Sequence, residues 1–148
     1  MKIFQILIIA LFVAVKSDAQ TYSSDEKLIR EFLTYVKSSS WSIDTMDSKF
    51  IVGYPVDSAI GSRELRQKWL NTLVGFLQNH LKRADWDAVK VVPYDQAPDS
   101  LQILMLRTEY STRSYVVTDS KAFTRYILIK NNHIQAFDLF QKAFWLMD

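Results

Sequence analysis

Few side chains in this sequence have a type and position suited to chemistry, and Asp138 is the most informative of them. It lies in a predicted strand between Phe137 and Leu139. A buried carboxylate is costly unless it is paired, hydrogen-bonded or protonated. Arg107 and Arg125 fall in neighbouring predicted strands, so either can be its partner. Two interpretations follow: an ion pair on the sheet, or a pocket acid that anchors a polar ligand group.

His80 is the second candidate, because a neutral imidazole can transfer a proton near pH 7. It falls on the apolar stripe of a predicted long helix, one turn after Phe76, so we expect it to point into the core or a pocket. In the last turn of that helix, however, a histidine can also bind free carbonyls and interact with the helix dipole. His133 falls in a predicted turn and is expected on the surface.

Composition excludes several other kinds of site. The chain has no cysteine, two histidines and no His-x-x-x-His or Glu-x-x-His spacing, so we predict no metal site and no cofactor. It has three glycines, no phosphate-binding loop and no Gly-x-Ser-x-Gly motif. Lys and Arg number 18 against 16 Asp and Glu, a net charge of +2, and they are dispersed among the acids. Nucleic acid is therefore not an expected partner.

The first twenty residues predict a secretory signal peptide. Met1-Lys2 gives a basic start, residues 3–15 are apolar except Gln5, and Ser17 and Ala19 have the spacing that signal peptidase reads. The apolar run is shorter than the roughly 17 to 25 residues that cross a bilayer, so no stable membrane insertion is expected after cleavage. There is no lipoprotein cysteine. We therefore predict a periplasmic or secreted domain spanning 20–148, with residues 1–19 removed.

Two helices follow from apolar spacing. Ser23 and Glu26 resemble a capping box before a helix over 24–37. Ser62 is positioned to cap a longer helix that ends near Arg83. Its predicted inward stripe is made of Leu65, Trp69, Leu73, Phe76, Leu77, His80 and Leu81. Between them, residues 41–54 are ambiguous, because Asp44 or Thr45 can cap a short helix and Ile51-Val52 can begin a strand.

From Trp86 onward the apolar period changes to two, which indicates strands over 86–94, 101–110, 122–130 and 134–146. Asn131-Asn132 predicts a tight hairpin turn. The fold class is therefore α+β, with N-terminal helices on a mostly antiparallel sheet of four to six strands. Because the strands are apolar on both faces, we expect a second subunit to cover one face, giving a homodimer. The alternative is that a loop such as 111–120 covers it.

This order of elements resembles the nuclear transport factor 2-like superfamily, which has a cystatin-like fold and includes ketosteroid isomerases and polyketide cyclases. The resemblance is carried by the N-terminal helix, the irregular segment Ser42–Tyr54, the helix Ser62–Leu81 and the turn before the last strand. It implies a strongly curved, cone-shaped sheet and a pocket between its concave face and the long helix.

In the isomerases that this sequence resembles, an acid in an apolar pocket acts as a base, while a tyrosine and a second acid bind the oxyanion. Asp44 or Asp47 falls where such a base can lie, and the candidate donors are Tyr54, Tyr94 and Tyr126. None of these residues stands in a motif that fixes a role. The catalytic residues are therefore left unassigned.

The residues expected to line the pocket are Trp69, Phe76, His80, Arg107, Tyr126, Asp138 and Phe140. We favour a non-catalytic binding or accessory module for a small hydrophobic ligand. One alternative is a cofactor-independent isomerase, dehydratase or cyclase that uses Asp138, His80 or Asp44. The other is a structural dimerisation domain whose core is filled by aromatic side chains.

Overall fold

The computed structural model of the chain describes residues 23–38, 40–51, 63–104 and 106–137. The predicted signal peptide, Tyr54, Asp138 and Phe140 lie outside these ranges. The helices are α1 (Ser24–Lys37), α2 (Ile43–Thr45, continued by a π turn over Met46–Phe50), α3 (Arg63–Leu81) and α4 (Thr108–Ser111). The strands are β1 (Lys90–Pro93), β2 (Ser114–Thr118), β3 (Thr124–Lys130) and β4 (His133–Phe137). None of the helices in the described ranges is long and apolar enough to span a membrane.

Helix α1 begins and ends where the sequence predicts. The Ser23 hydroxyl accepts a hydrogen bond from the Glu26 backbone amide at 3.2 Å, which satisfies a free donor of the first turn. Its inward stripe is fully buried, as its spacing indicates: Ile29, Phe32, Leu33 and Val36. The Glu26 carboxylate lies 3.0 Å from Arg30, one turn further along.

The ambiguous segment after α1 forms the short helix. Its cap is Ser42, whose hydroxyl accepts from the Thr45 amide at 3.2 Å, and not Asp44 or Thr45 as expected. The π turn that follows buries Met46 and Phe50. Ile51 then makes an isolated parallel bridge with Ile134, and Val52, the other residue of the expected strand start, lies outside the described residues.

The four described strands form one open antiparallel sheet in the order β1-β2-β3-β4, which confirms the α+β class. Val117 of β2 lies opposite both Val91 and Arg125, and Ile127 of β3 lies opposite Phe137. The predicted β3–β4 hairpin is confirmed. Asn131 and Asn132 adopt φ values of 51° and 59°, the left-handed conformation that asparagine tolerates better than most residues.

The prediction of a second strand over 101–110 is wrong. The described residues 101–104 and 106–110 form the end of a 3-10 turn over Asp99–Leu101, irregular backbone and the first three residues of α4. The strand lies instead at Ser114–Thr118, within the stretch predicted as a loop. The apolar alternation of 101–106 arises because Leu101, Leu104 and Leu106 pack onto the sheet from outside it. Spacing alone does not distinguish a strand from an irregular segment that covers one.

Two cores result, one on each face of the sheet. On the first face, α1, α2 and α3 pack against residues that include Val117, Ile127 and Ile129. On the second face, Val92, Val116 and Tyr126 are covered by the chain's own residues 94–104 and 106, called here the covering segment. The expected loop 111–120 does not cover this face, because it contains β2. The homodimer stays a prediction, and this part of the face already has a cover.

Candidate functional site

The structure does not gather the five predicted pocket residues within the described ranges into one site. Trp69, Phe76 and His80 lie exposed along α3. Tyr126 is buried in the core on the second sheet face. Arg107 is exposed just before α4, and not in a strand as predicted. Asp138 and Phe140 fall outside the described residues.

The inward face of α3 differs from the predicted stripe. Its buried residues are Leu70, Val74, Leu77 and Leu81. The expectation that Trp69, Phe76 and His80 point inward is therefore wrong. Successive helical residues are separated by about 100°, so the rows 69, 76, 80 and 70, 77, 81 lie side by side. Apart from His80, both rows are apolar, and only the second row is buried in the core.

The apolar residues of the first row, together with Leu65 one turn before them, form an exposed surface called here the outer stripe: Leu65, Trp69 and Phe76. Their exposed fractions are 39%, 57% and 55%. Steps of four and seven residues place them on one side of the helix, over a length of about 16 Å. Large apolar side chains grouped on a surface mark interaction sites more often than chance would give. The outer stripe is the strongest candidate surface in the described part of the chain.

Five basic residues lie on α3 or directly after it. The Arg63 guanidinium lies 2.7 Å from the Asp44 carboxylate, and Arg66 pairs with Asp47. Lys68, Lys82 and Arg83 are exposed. An open groove of about 500 Å³ runs along the polar side of α3, and it is lined by Arg63, Glu64, Gln67, Lys68, Asn71 and Thr72.

Asp44 and Asp47 are the predicted positions of a base, and both form ion pairs at the start of α3. Asp44 is exposed and Asp47 is half-buried. A base in an apolar pocket needs a carboxylate that has lost its hydration without gaining a cationic partner. These two carboxylates instead attach the short helix α2 to α3.

The buried tyrosine hydroxyls are used by the covering segment. Tyr94 donates to the Leu104 carbonyl at 2.7 Å and accepts from the Leu104 amide at 2.9 Å. Tyr126 donates to the Leu101 carbonyl at 2.8 Å. Burial, with a smaller effect from the Tyr94 side chain, raises the pKa of Tyr126. Both hydroxyls, expected as donors to an oxyanion, therefore fix the backbone that covers the second sheet face.

Asp119 is the one carboxylate among the described residues with a strongly lowered pKa, and the sequence analysis did not single it out. It is buried and accepts hydrogen bonds from the backbone amides of Phe123, Asp85, Lys121 and Ala122 at 2.8 to 3.0 Å. These bonds, those from Phe123 and Asp85 first, lower the pKa of Asp119 to about 2. Asp119 therefore joins the β2–β3 turn to the chain just after α3.

Within the four described ranges, no three acidic or histidine side chains come together to hold a metal ion. The geometry of these ranges contains one exposed apolar surface and no assembled group of acid, base and oxyanion donor. No protein-family model matches the chain, and no curated protein or solved structure matches it either.

Proposed function

We propose that the chain is a non-catalytic binding or accessory module whose contact surface is the outer stripe of α3. One observation carries this proposal: Trp69 and Phe76 lie on the same side of a 19-residue helix with more than half of each side chain exposed. Exposing two aromatic side chains loses the free energy of burying them. A binding role gives a reason for that cost.

The polar groups of the described residues support a role without catalysis. Asp44 and Asp47 are paired with arginines, and Tyr94 and Tyr126 bind backbone atoms. Each candidate for acid–base chemistry in these ranges thus has a structural partner or lies exposed, as His80 does. The isomerase, dehydratase or cyclase alternative now depends on Asp138.

We also propose a nuclear transport factor 2-like architecture and a periplasmic or secreted location. The order of α1, α2, α3 and the strands supports the architecture, as does the Asn131-Asn132 turn. The cone shape of that family is part of the proposal. The location is supported by the sequence of residues 1–20. The ligand class that we infer is a small hydrophobic or amphiphilic molecule.

The test is an NMR titration of the isotope-labelled chain, as processed by a secreting cell, with decanoate as the amphiphile. We expect the largest amide shift changes at Trp69, Thr72 and Phe76, together with the Trp69 indole signal. The double variant Trp69→Ser/Phe76→Ser should lose these changes. A matched control is Ile103→Ser, which removes an apolar side chain of similar exposure, 56%, from the covering segment.

Two results of this titration would contradict the proposal. Shift changes confined to Val92, Val116 and Tyr126 would place the ligand at the second sheet face and overturn the assignment to α3. Absence of any shift change at millimolar decanoate would remove the binding role for this ligand class.

A further inference from the structure

The covering segment is held together by its own hydrogen bonds. The side chain of Tyr94, at its start, donates to the carbonyl of Leu104 at 2.7 Å and accepts from the amide of that residue at 2.9 Å. The Gln102 side-chain amide donates to the Ala97 carbonyl at 2.6 Å. Two short 3-10 turns lie between these ends. Because the bonds link one end of the segment to the other, its residues are coupled and should move together.

The attachment of the covering segment to the sheet uses fewer hydrogen bonds. Within the described ranges, one bond joins the two, from the Tyr126 hydroxyl to the Leu101 carbonyl at 2.8 Å. Strand β1 ends at Pro93, which has no amide hydrogen, and the segment then leaves the ladder to lie on the sheet face. The remaining attachment is apolar contact, including the edge-to-face pair of Tyr94 and Tyr126, whose ring centroids are 6.1 Å apart.

The two faces of the sheet are closed by cores of different size. Among the described residues, the first-face core contains nineteen buried residues, whereas the second-face core contains five. Three of those five, Tyr94, Ala97 and Leu104, belong to the covering segment itself. Removing the segment from the sheet therefore breaks a small apolar cluster and leaves the first-face core intact. Units with few buried apolar contacts open at a lower cost in free energy than the rest of a protein.

We propose that the covering segment acts as a hinged flap, with the Tyr126 hydroxyl as its latch, and opens from the second sheet face while the helices and the four strands stay folded. It joins the rest of the chain at Pro93, the end of β1, and at Arg107, directly before α4. Opening exposes Val116, which is fully buried when the segment is closed. Because α3 packs on the first face, this motion is independent of the function proposed for the outer stripe.

Hydrogen exchange of the isotope-labelled chain, as processed by a secreting cell, tests this motion by NMR. Away from the sheet, the short turns of the covering segment do not persist in water, so its amides exchange each time it opens. We expect the amides of Ala97, Gln102 and Leu104 to share one protection factor. It should be at least about tenfold lower than that of Phe32 and Leu33 in α1.

Variants separate opening of the covering segment from unfolding of the whole chain. Ile29→Val weakens the first-face core in the closed and the open form alike, so it should speed exchange in α1 about two- to tenfold and leave the covering segment unchanged. Tyr126→Phe removes a bond that only the closed form makes, so it should speed exchange of the covering segment about two- to tenfold. Tyr35→Phe is the matched control, because the Tyr35 hydroxyl binds the Ser42 amide, away from this segment. It should leave exchange of the covering segment unchanged.

The proposal fails if the covering segment exchanges as slowly as α1 and Ile29→Val speeds both equally, because the segment then opens only when the whole chain unfolds. It also fails if Tyr126→Phe speeds exchange at Leu101 alone, because the residues then open one by one. Exchange of these amides at the rate of an unfolded peptide would contradict the closed form itself. None of these results changes the outcome of the decanoate titration at the outer stripe, so the two proposals can fail separately.

Discussion

The two long helices of this domain use their apolar residues differently. In α1, the inward row of Ile29, Phe32, Leu33 and Val36 is completely buried. In α3, one apolar row is buried, and the row beside it leaves Trp69 and Phe76 more than half exposed. A helix that only packs against a core needs apolar residues only where it contacts that core. The additional exposed apolar row of α3 therefore indicates a partner outside the described core.

The largest loss of stability should come from a substitution in the buried row of α1. Phe32 is fully buried and contacts Phe50 and Phe137, with ring centroids 5.9 and 5.1 Å away. Phe32→Ala should lower the free energy of unfolding by about 3–5 kcal/mol, because it leaves a cavity between α1, α2 and β4. Urea denaturation measures this loss. A loss below about 1 kcal/mol would show that the α1 core packs more loosely than described.

Phe76 and Leu77 are adjacent in α3, so they allow its exposed and buried rows to be compared within one helix. Leu77 is buried and Phe76 is exposed. Leu77→Ala should cost about 2–5 kcal/mol, whereas Phe76→Ala should change stability by no more than about 0.5 kcal/mol. Denaturation of the two variants under identical conditions gives the difference. Equal losses would mean that Phe76 is covered in solution, and the two faces of α3 would no longer differ.

A smaller loss of stability is expected from a substitution at Tyr94, in the segment that covers the second sheet face. Tyr94→Phe removes the hydroxyl that binds both the amide and the carbonyl of Leu104. Buried polar groups without partners are destabilising, so we expect a loss of about 1–3 kcal/mol. Hydrogen exchange should show faster exchange of the Leu104 amide while α1 stays protected. Unchanged exchange at Leu104 would contradict the role given to Tyr94.

The last prediction is a dependence of stability on pH, and it concerns the chain just after α3. The backbone amides around Asp119 lower its pKa from an ordinary 3.8 to about 2 in the folded chain. Its stabilising contribution is therefore complete above about pH 4 and is lost as the pH falls through 2. Chemical denaturation between pH 5 and pH 2 should show this decline, and Asp119→Asn should flatten it. If the stability of Asp119→Asn declines equally steeply with falling pH, the decline is due to other carboxylates.

Helix α1, the hairpin turn and the α+β class could be predicted because each has a local physical cause. Ser23 caps α1, its apolar row repeats at helical spacing, and asparagines tolerate the turn at 131–132. The second strand could not be found in this way. The alternation in 101–106 belongs to a segment that lies on the sheet, and β2 has five residues between polar flanks.

The candidate site was harder to predict for a related reason. Spacing identified the apolar residues of α3, but it gives no information on which of two adjacent rows meets the sheet. That choice depends on how α3 packs against α1 and the strands, which is a property of the whole fold. One of the bonds to Asp119 likewise joins residues that are 34 positions apart, Asp85 and Asp119, and no local pattern marks it.

Hydroxyl-radical footprinting tests the central claim most directly, because it reports side-chain exposure residue by residue in solution. In the free chain, Phe76 should be oxidised much faster than buried Phe32, and Trp69 faster than half-buried Trp41 and Trp86. Decanoate should protect Trp69 and Phe76 and leave Ile103 reactive. If Phe76 in the free monomer is as protected as Phe32, the outer stripe is part of a core and the binding surface proposed for α3 does not exist.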